Sequence, residues 1–151
     1  MAKTVKIDVI SEGDEKNVLK VAFATDDIKK VNQNFSRAKK FIVYDITKEG
    51  YTTSGIIETD TSNLPEGEKT EYKISALKGV NIMYCKSIIG GDAAKVISSG
   101  ITPVKVKYTD DIEELLNQFV YMLNNNPPPW IKKIMHFETE KDPRLDFWKY
   151  E

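Results

Sequence analysis

The stretch VLKVAFATDDIKKVNQNFSRAKKFIVYDIT, residues 18–47, decides the fold. It opens on VLKVAFAT (18–25), apolar enough for a central strand buried on both faces. It closes on FIVYDIT (41–47), which shares its β-branched and aromatic content with YTTSGIIET (51–59). Lys48-Glu49-Gly50 lies between those two runs, so they read as a hairpin. The first strand is joined to the hairpin by a cationic connection carrying Lys29, Lys30, Arg37, Lys39 and Lys40, with no acidic residue from Ile28 to Lys40. Phe35 and Ala38 are its few apolar anchors. A charge run ordinarily faces water and does nothing more, so only its place in the fold can give this one a function.

Downstream the rhythm changes. EYKISALKG (71–79) reads as a short helix ending at Gly79, because glycine tolerates the left-handed backbone there. VNIMYCKSI (80–88) is a strand and GGDAAKVISSG (90–100) a helix ending at Gly100. In ITPVKVKY (101–108), Val104, Val106 and Tyr108 alternate with Lys105 and Lys107, the pattern of an edge strand with one wet face. Ile112, Leu115, Leu116, Phe119, Val120 and Leu123 fall on one helical stripe. Asp110 and Glu113 read as its capping box, and NNNPPPW (124–130) stops it.

The order β β β α β α β α is an antiparallel meander followed by two alternating units with right-handed crossovers. Placing the first strand centrally gives an α/β fold: a mixed five-stranded sheet in the order 3-2-1-4-5 flanked by helices, the ribonuclease H-like arrangement. Strand order then reverses between the first and fourth strands, which opens a crevice beyond their carboxyl ends. TDDIKKVNQNFSR (25–37) and CKSIIGG (85–91) line it. The cations therefore flank a ligand site, facing Gly90 and Gly91 at a helix start, where free N–H groups and the helix dipole favour an anion. As a motif the glycine pair is weak, because neither GxGxxG nor a P-loop lysine accompanies it.

Composition bounds the remaining choices. With 151 residues, 40% hydrophobic and 30% charged, the chain reads as a single domain over residues 1–151 with a proper core. Residues 1–16 read as a loosely ordered N-terminus and 127–151 as a Pro-initiated tail. That tail holds Trp130, Ile131, Ile134, Met135 and Phe137, too apolar not to pack on the body or on a partner. Against 22 basic residues stand 23 acidic ones, for a net charge of −1, which argues against nucleic acid as a partner. There is no apolar run of membrane-spanning length and no signal-peptide core, so the expected location is the cytoplasm, away from any membrane.

Cys85 is the only cysteine and His136 the only histidine. They cannot build an internal disulfide, a tetrahedral zinc site or a four-cysteine iron–sulfur site. A metal cluster would have to arrive assembled and be held by few protein bonds. Cys85, at the carboxyl end of a buried strand, reads either as a small core residue or as a ligand at the crevice. A two-metal nuclease is a further option, but Asp26, Asp27, Asp45 and Asp92 do not cluster, and the lysines suit an anion.

VAFATDD followed by VNQNFSRAKKFIVYDIT resembles the NifX/NafY-type domain of dinitrogenase iron–molybdenum cofactor biosynthesis proteins. That family typically reads VAFAT, then V-[DN]-x-H-F-G-x-A, then F-x-[VI]-Y. MYCKSIIGG, GITPVKVKYTDDIEELL and NNPPPW extend the resemblance over residues 18–132. It implies a ribonuclease H-like fold and a small carrier without catalysis. Such a carrier binds the iron–molybdenum cofactor or its iron–sulfur precursor and passes it between nitrogenase assembly scaffold proteins; a homodimer is compatible with this. It also implies Asn34, Ser36, Arg37, Lys39, Cys85, Gly90 and Gly91 as cofactor-binding residues and Cys85 as the metal ligand. Arg37 and Lys39, with Lys29 and Lys30, would offset cluster charge while backbone N–H groups bond its sulfides. Two positions depart from the pattern: Asn34 replaces the family's histidine and Ser36 its glycine. Asparagine is a poor ligand for iron. Either Cys85 takes more of the ligand role, or binding is chiefly electrostatic, or the chain is an interaction module regulating nitrogenase maturation without a cluster.

Overall fold

In a computed structural model that describes residues 18–135, the central strand is β1 (Leu19–Ala24). It pairs antiparallel with β2 (Lys40–Thr47), which pairs antiparallel with β3 (Gly50–Glu58). On its other side it pairs parallel with β4 (Ile82–Cys85), and β4 pairs parallel with β5 (Thr102–Lys105). The sheet order β3-β2-β1-β4-β5 is the one the sequence pattern implies. Register slips once, between Val43 and Tyr44, where Gly55 and Thr53 are the successive partners and Ser54 is left over. Lys20 Nζ reaches across to Ser54 Oγ (3.2 Å) and Asp45 Oδ1 (2.6 Å), so Asp45 is held in an ion pair.

Alternation along β1 divides the core in two. Leu19, Val21 and Phe23 join Ile112, Leu116, Leu123, Ile131 and Met135 on one face. Ala22 and Ala24 join Phe35, Phe41, Leu77, Met83, Cys85 and Val96 on the other. The second face belongs to α1 (Lys69–Ala76) and α2 (Gly90–Ser98), the first to α3 (Ile112–Asn124) and α4 (Pro129–Met135). Helices therefore cover both sides of the sheet. None among the described residues is long and apolar enough to cross a membrane.

Several boundaries differ from the sequence reading. Helix α1 begins two residues earlier, at Lys69, β4 is confined to Ile82–Cys85, and β5 ends at Lys105, leaving Tyr108 exposed instead of on an inner face. The cap of α3 is Asp111, one residue later than expected, with its carboxylate accepting the Glu114 N–H at 3.0 Å. Asp110 is engaged elsewhere, its carbonyl accepting the Val31 N–H at 2.8 Å. The reciprocal half of the box is not made, because the Thr109 hydroxyl donates to the Glu114 carboxylate at 2.7 Å. The proline run does stop α3, but Pro129 also starts α4, since a first-turn proline has no N–H that the helix needs. Ile131 and Met135 are fully buried, so this part of the tail packs on the body. His136, Phe137 and the N-terminal VKIDVI segment lie outside the described residues.

Candidate functional site

Two connections meet at the carboxyl ends of β1 and β4, and hydrogen bonds tie them together. The Lys86 N–H donates to the Gln33 carbonyl and the Phe35 N–H to the Ser87 carbonyl, each at 2.9 Å. The Ser87 hydroxyl donates to Asn34 Oδ1 at 2.7 Å. The crevice expected between these strands is thus bridged. Asn34, at the family's histidine position, uses its side-chain oxygen to hold the bridge.

The first half of the β1–β2 connection is organised by its own side chains. The Thr25 hydroxyl oxygen accepts the N–H groups of Asp27 (3.3 Å) and Ile28 (3.0 Å). Asp27 Oδ1 accepts those of Lys29 (2.8 Å) and Lys30 (3.0 Å). These backbone bonds, from Lys29 first, hold the Asp27 carboxyl below the usual carboxylate range. Asn32 and Asp26 bond each other twice, through the Asp26 N–H (3.0 Å) and the Asn32 amide (2.7 Å). Lys30 pairs with Asp110 at 3.4 Å. Both candidate acids of this loop therefore serve as acceptors for it.

The second half is held from below. A 3-10 turn, Phe35–Arg37, buries Phe35 and places Ser36 and Arg37 outside. Beneath it lies Lys73 of α1, only 2% exposed. Its ammonium donates to three carbonyls: Phe35 (2.9 Å), Ser36 (2.9 Å) and Ala38 (2.6 Å). It also sits 5.7 Å from the Phe35 ring centroid. Burial pushes its pKa down to about 8, against the pull of the Asp92 and Asp60 carboxylates. Arg37 and Lys39 are exposed, and neither forms an ion pair with a described residue.

The remaining candidates separate. Gly90 and Gly91 are exposed at the start of α2, which has no side-chain cap. Their φ values are ordinary and a Cβ on either would meet nothing within 4 Å, so packing does not demand glycine there. Asp92 follows in the first turn, its carboxylate accepting the Thr70 hydroxyl at 3.0 Å; a negative charge there already answers the helix dipole. Cys85 has no exposed surface and belongs to the core beside Met83 and Leu77. Burial pushes its thiol up to about 11, with Lys105 pulling the other way, so it is a neutral core thiol in this conformation. Among the described residues no three His, Cys, Asp or Glu side chains converge as a metal-ion site. A shallow groove of about 400 Å³ between α1 and α2 has none of these residues in its lining, which is Glu71, Ile74, Ala94, Lys95, Ser98 and Ser99.

The family described as dinitrogenase iron–molybdenum cofactor matches residues 17–121, a span that holds both connections and Lys73. The chain belongs to this family. NifX of Sinorhizobium fredii is 32% identical over 124 residues, 78% of either chain. NifX of Herbaspirillum seropedicae is 31% identical, over 84% of this chain and 88% of its own. NifY of Azotobacter vinelandii is 26% identical over 89% of this chain and 54% of its own. In fold, the crystal structure of PH0822 superposes with a TM-score of 0.55 at 21% identity, covering 68% of this chain and 91% of that one. Membership gives the chain a role in nitrogenase cofactor biosynthesis, within nitrogen fixation.

On that family background the structure gathers Asn34, Ser36, Arg37 and Lys39 on one turn, bonded to Ser87 just ahead of the two glycines. It leaves Cys85 inside. Two residues that organise the turn, Ser87 and Lys73, carry no motif. The available signal for Lys73 was positional: it stands four residues before Leu77, on the buried side of a helix.

Proposed function

We propose that the chain carries the iron–molybdenum cofactor or its iron–sulfur precursor as cargo, in the cytoplasm, between nitrogenase assembly scaffold proteins and without catalytic turnover. The observation that carries this reading is the pair Arg37 and Lys39, exposed and unpaired among the described residues on a turn anchored by buried Phe35 and Lys73. Exposed cations contribute little to folding, about 1 kcal/mol or less each, so both can meet an anion, although the Asp60 carboxylate already feels the charge of Lys39. A metal–sulfide cluster with anionic groups offers that charge, and N–H donors and cations hold it weakly enough for release. Ser36 supplies exposed backbone beside the cations, and Gly90 and Gly91 would add exposed backbone from the start of α2.

A second reading is favoured by Asn34 and Cys85. One is committed to Ser87 and the other to the core, which suits an interaction module that regulates maturation without coordinating a cluster. One experiment decides between them: anaerobic titration with isolated iron–molybdenum cofactor at low salt, followed by gel filtration and metal analysis. Arg37→Ala combined with Lys39→Ala should weaken retention by about tenfold or more and leave thermal unfolding in place. Cys85→Ala should retain cofactor as the natural chain does; loss of retention in a folded Cys85→Ala protein would give the thiol a ligand role after a local opening. No retention by the natural chain would select the interaction module.

A further inference from the structure

Three carbonyl oxygens from one short turn converge on one buried ammonium, a geometry that fixes more than the carbonyls. In a planar trans peptide the C=O and the following N–H point in opposite directions, and none of the described peptides is cis. Drawing the Phe35 carbonyl down onto Lys73 turns the Ser36 N–H up. Drawing the Ala38 carbonyl down, where the Thr59 hydroxyl also donates to it at 2.9 Å, turns the Lys39 N–H up. The Ser36 carbonyl likewise orients the Arg37 N–H, but that group is spent on the Asn34 carbonyl at 3.1 Å, as is the Ala38 N–H at 3.0 Å. The Phe35 N–H is spent on Ser87. The Ser36 and Lys39 N–H groups have no acceptor among the described residues, and both residues are exposed.

Lys73 itself makes no ion pair among the described residues; its three hydrogen bonds go to neutral carbonyls. An ammonium has three donors, so the three carbonyls saturate it. Its charge is moderated only at longer range, by Asp92 and Asp60, with Lys69 opposing them. A lysine needed only for packing would account for the burial. It would not account for the two freed N–H groups emerging beside Arg37 and Lys39, the unpaired cations of the same turn.

We infer that Lys73 is the positioning residue of the cargo site: by holding the Phe35, Ser36 and Ala38 carbonyls inward, it presents the Ser36 and Lys39 N–H groups outward as donors to the sulfide or oxyanion atoms of the cluster. This rests on the carrier reading above. The cargo then meets two backbone donors and two flexible cations, with no metal–protein bond required of the turn.

The test has two arms, both using isolated iron–molybdenum cofactor under anaerobic conditions. In the natural chain labelled with ¹⁵N, substoichiometric cofactor should shift or broaden the Ser36 and Lys39 amide signals before those of Lys29 and Lys30. In Lys73→Met, which keeps an unbranched apolar stem but none of the donors, retention should fall by about tenfold or more. The selective response should disappear at Ser36 and weaken at Lys39, whose preceding carbonyl keeps the Thr59 hydroxyl. Lys73→Arg, which keeps charge and donors, should recover part of the retention. If the Met variant does not fold, the natural chain's amide response still decides. Retention by the natural chain with the Ser36 and Lys39 signals unmoved, or a folded Lys73→Met that binds as tightly as the natural chain, overturns the role of Lys73 and leaves the carrier reading standing. No retention by the natural chain overturns both.

Discussion

The two halves of the β1–β2 connection each carry two cations, balanced by Asp26 and Asp27 in the first and by no acid within the second, and they are built in opposite ways. From Asp26 to Val31 every backbone N–H is consumed, by the Asn32 side chain, Thr25, Asp27 and the Asp110 carbonyl. Here carboxylates and hydroxyls sit inside the loop and turn its donors inward. From Phe35 to Lys39 a cation sits inside instead, so the carbonyls turn inward and two donors are left outside. Lys29 and Lys30 thus stand over a saturated backbone with Asp26 and Asp27 beside them, while Arg37 and Lys39 stand over an open one. Net charge and the polarity of the backbone beneath it therefore point to the same half as the one that can serve an anion.

The largest expected effect separates the halves by their anchors. Phe35 is fully buried, its ring 6.3 Å from that of Phe41, whereas Ile28 is 44% exposed. Phe35→Ala should cost roughly 3–5 kcal/mol in denaturant unfolding, because it empties a packed site. Ile28→Ala should cost no more than about 0.5 kcal/mol. Equal costs would mean that the turn over Lys73 is not held by the core, and the contrast between the halves would fail.

The strands and their order were legible because β-branched runs and alternation report burial directly, and the parallel units permit few topologies. The cap of α3 was misplaced by one because Asp110 and Asp111 are chemically alike and only the Val31 bond tells them apart. Pro129 hid a helix start behind the same run that ends α3. The site was legible as a stretch but not as a half of one. Lysines are visible in a sequence, and the direction of a peptide plane is not. Lys73 shares a helix side with Leu77, but residue type masks that signal, because lysine on a short helix ordinarily faces water. Cys85 left two readings open because residue type fits core or ligand equally, and its place on β4 opposite Lys105 of β5 settles only its burial.

The next effect concerns the buried cation and pH. Lys73 has a folded-state pKa of about 8, below the ordinary lysine value of about 10.4. Between those values the unfolded chain binds more protons at this group than the folded one, so its contribution to stability rises with pH. That contribution is complete above the ordinary value and is lost as pH falls through about 8. Comparison with Lys73→Met cancels other groups. From about pH 7 to about pH 9.5 the natural chain should gain stability relative to the variant by on the order of 2 kcal/mol. The neutral amine has one donor fewer, so the turn should loosen locally over the same range even as the global balance improves. A difference independent of pH would mean that the three carbonyls keep Lys73 charged throughout, which strengthens the clamp and removes the pH lever.

The smallest effect tests whether the saturated half is truly idle. Ile28 has φ +55, a left-handed conformation that is costly for a β-branched residue, and its N–H is fixed on the Thr25 hydroxyl oxygen at 3.0 Å. Glycine adopts that backbone freely, relieving roughly 1–2 kcal/mol of strain, but it loses roughly 0.5–1 kcal/mol to the greater freedom of the unfolded chain. Ile28→Gly should therefore be neutral to about 1.5 kcal/mol more stable in denaturant unfolding. Strain of this kind often marks a functional position, so the second readout matters more. With every N–H from Asp26 to Val31 already bonded, relaxing Ile28 opens no donor to the cargo, and retention of iron–molybdenum cofactor should stay at the natural level. A stabilised Ile28→Gly protein that holds cofactor less well would place part of the binding face in the first half and move the boundary of the site toward β1.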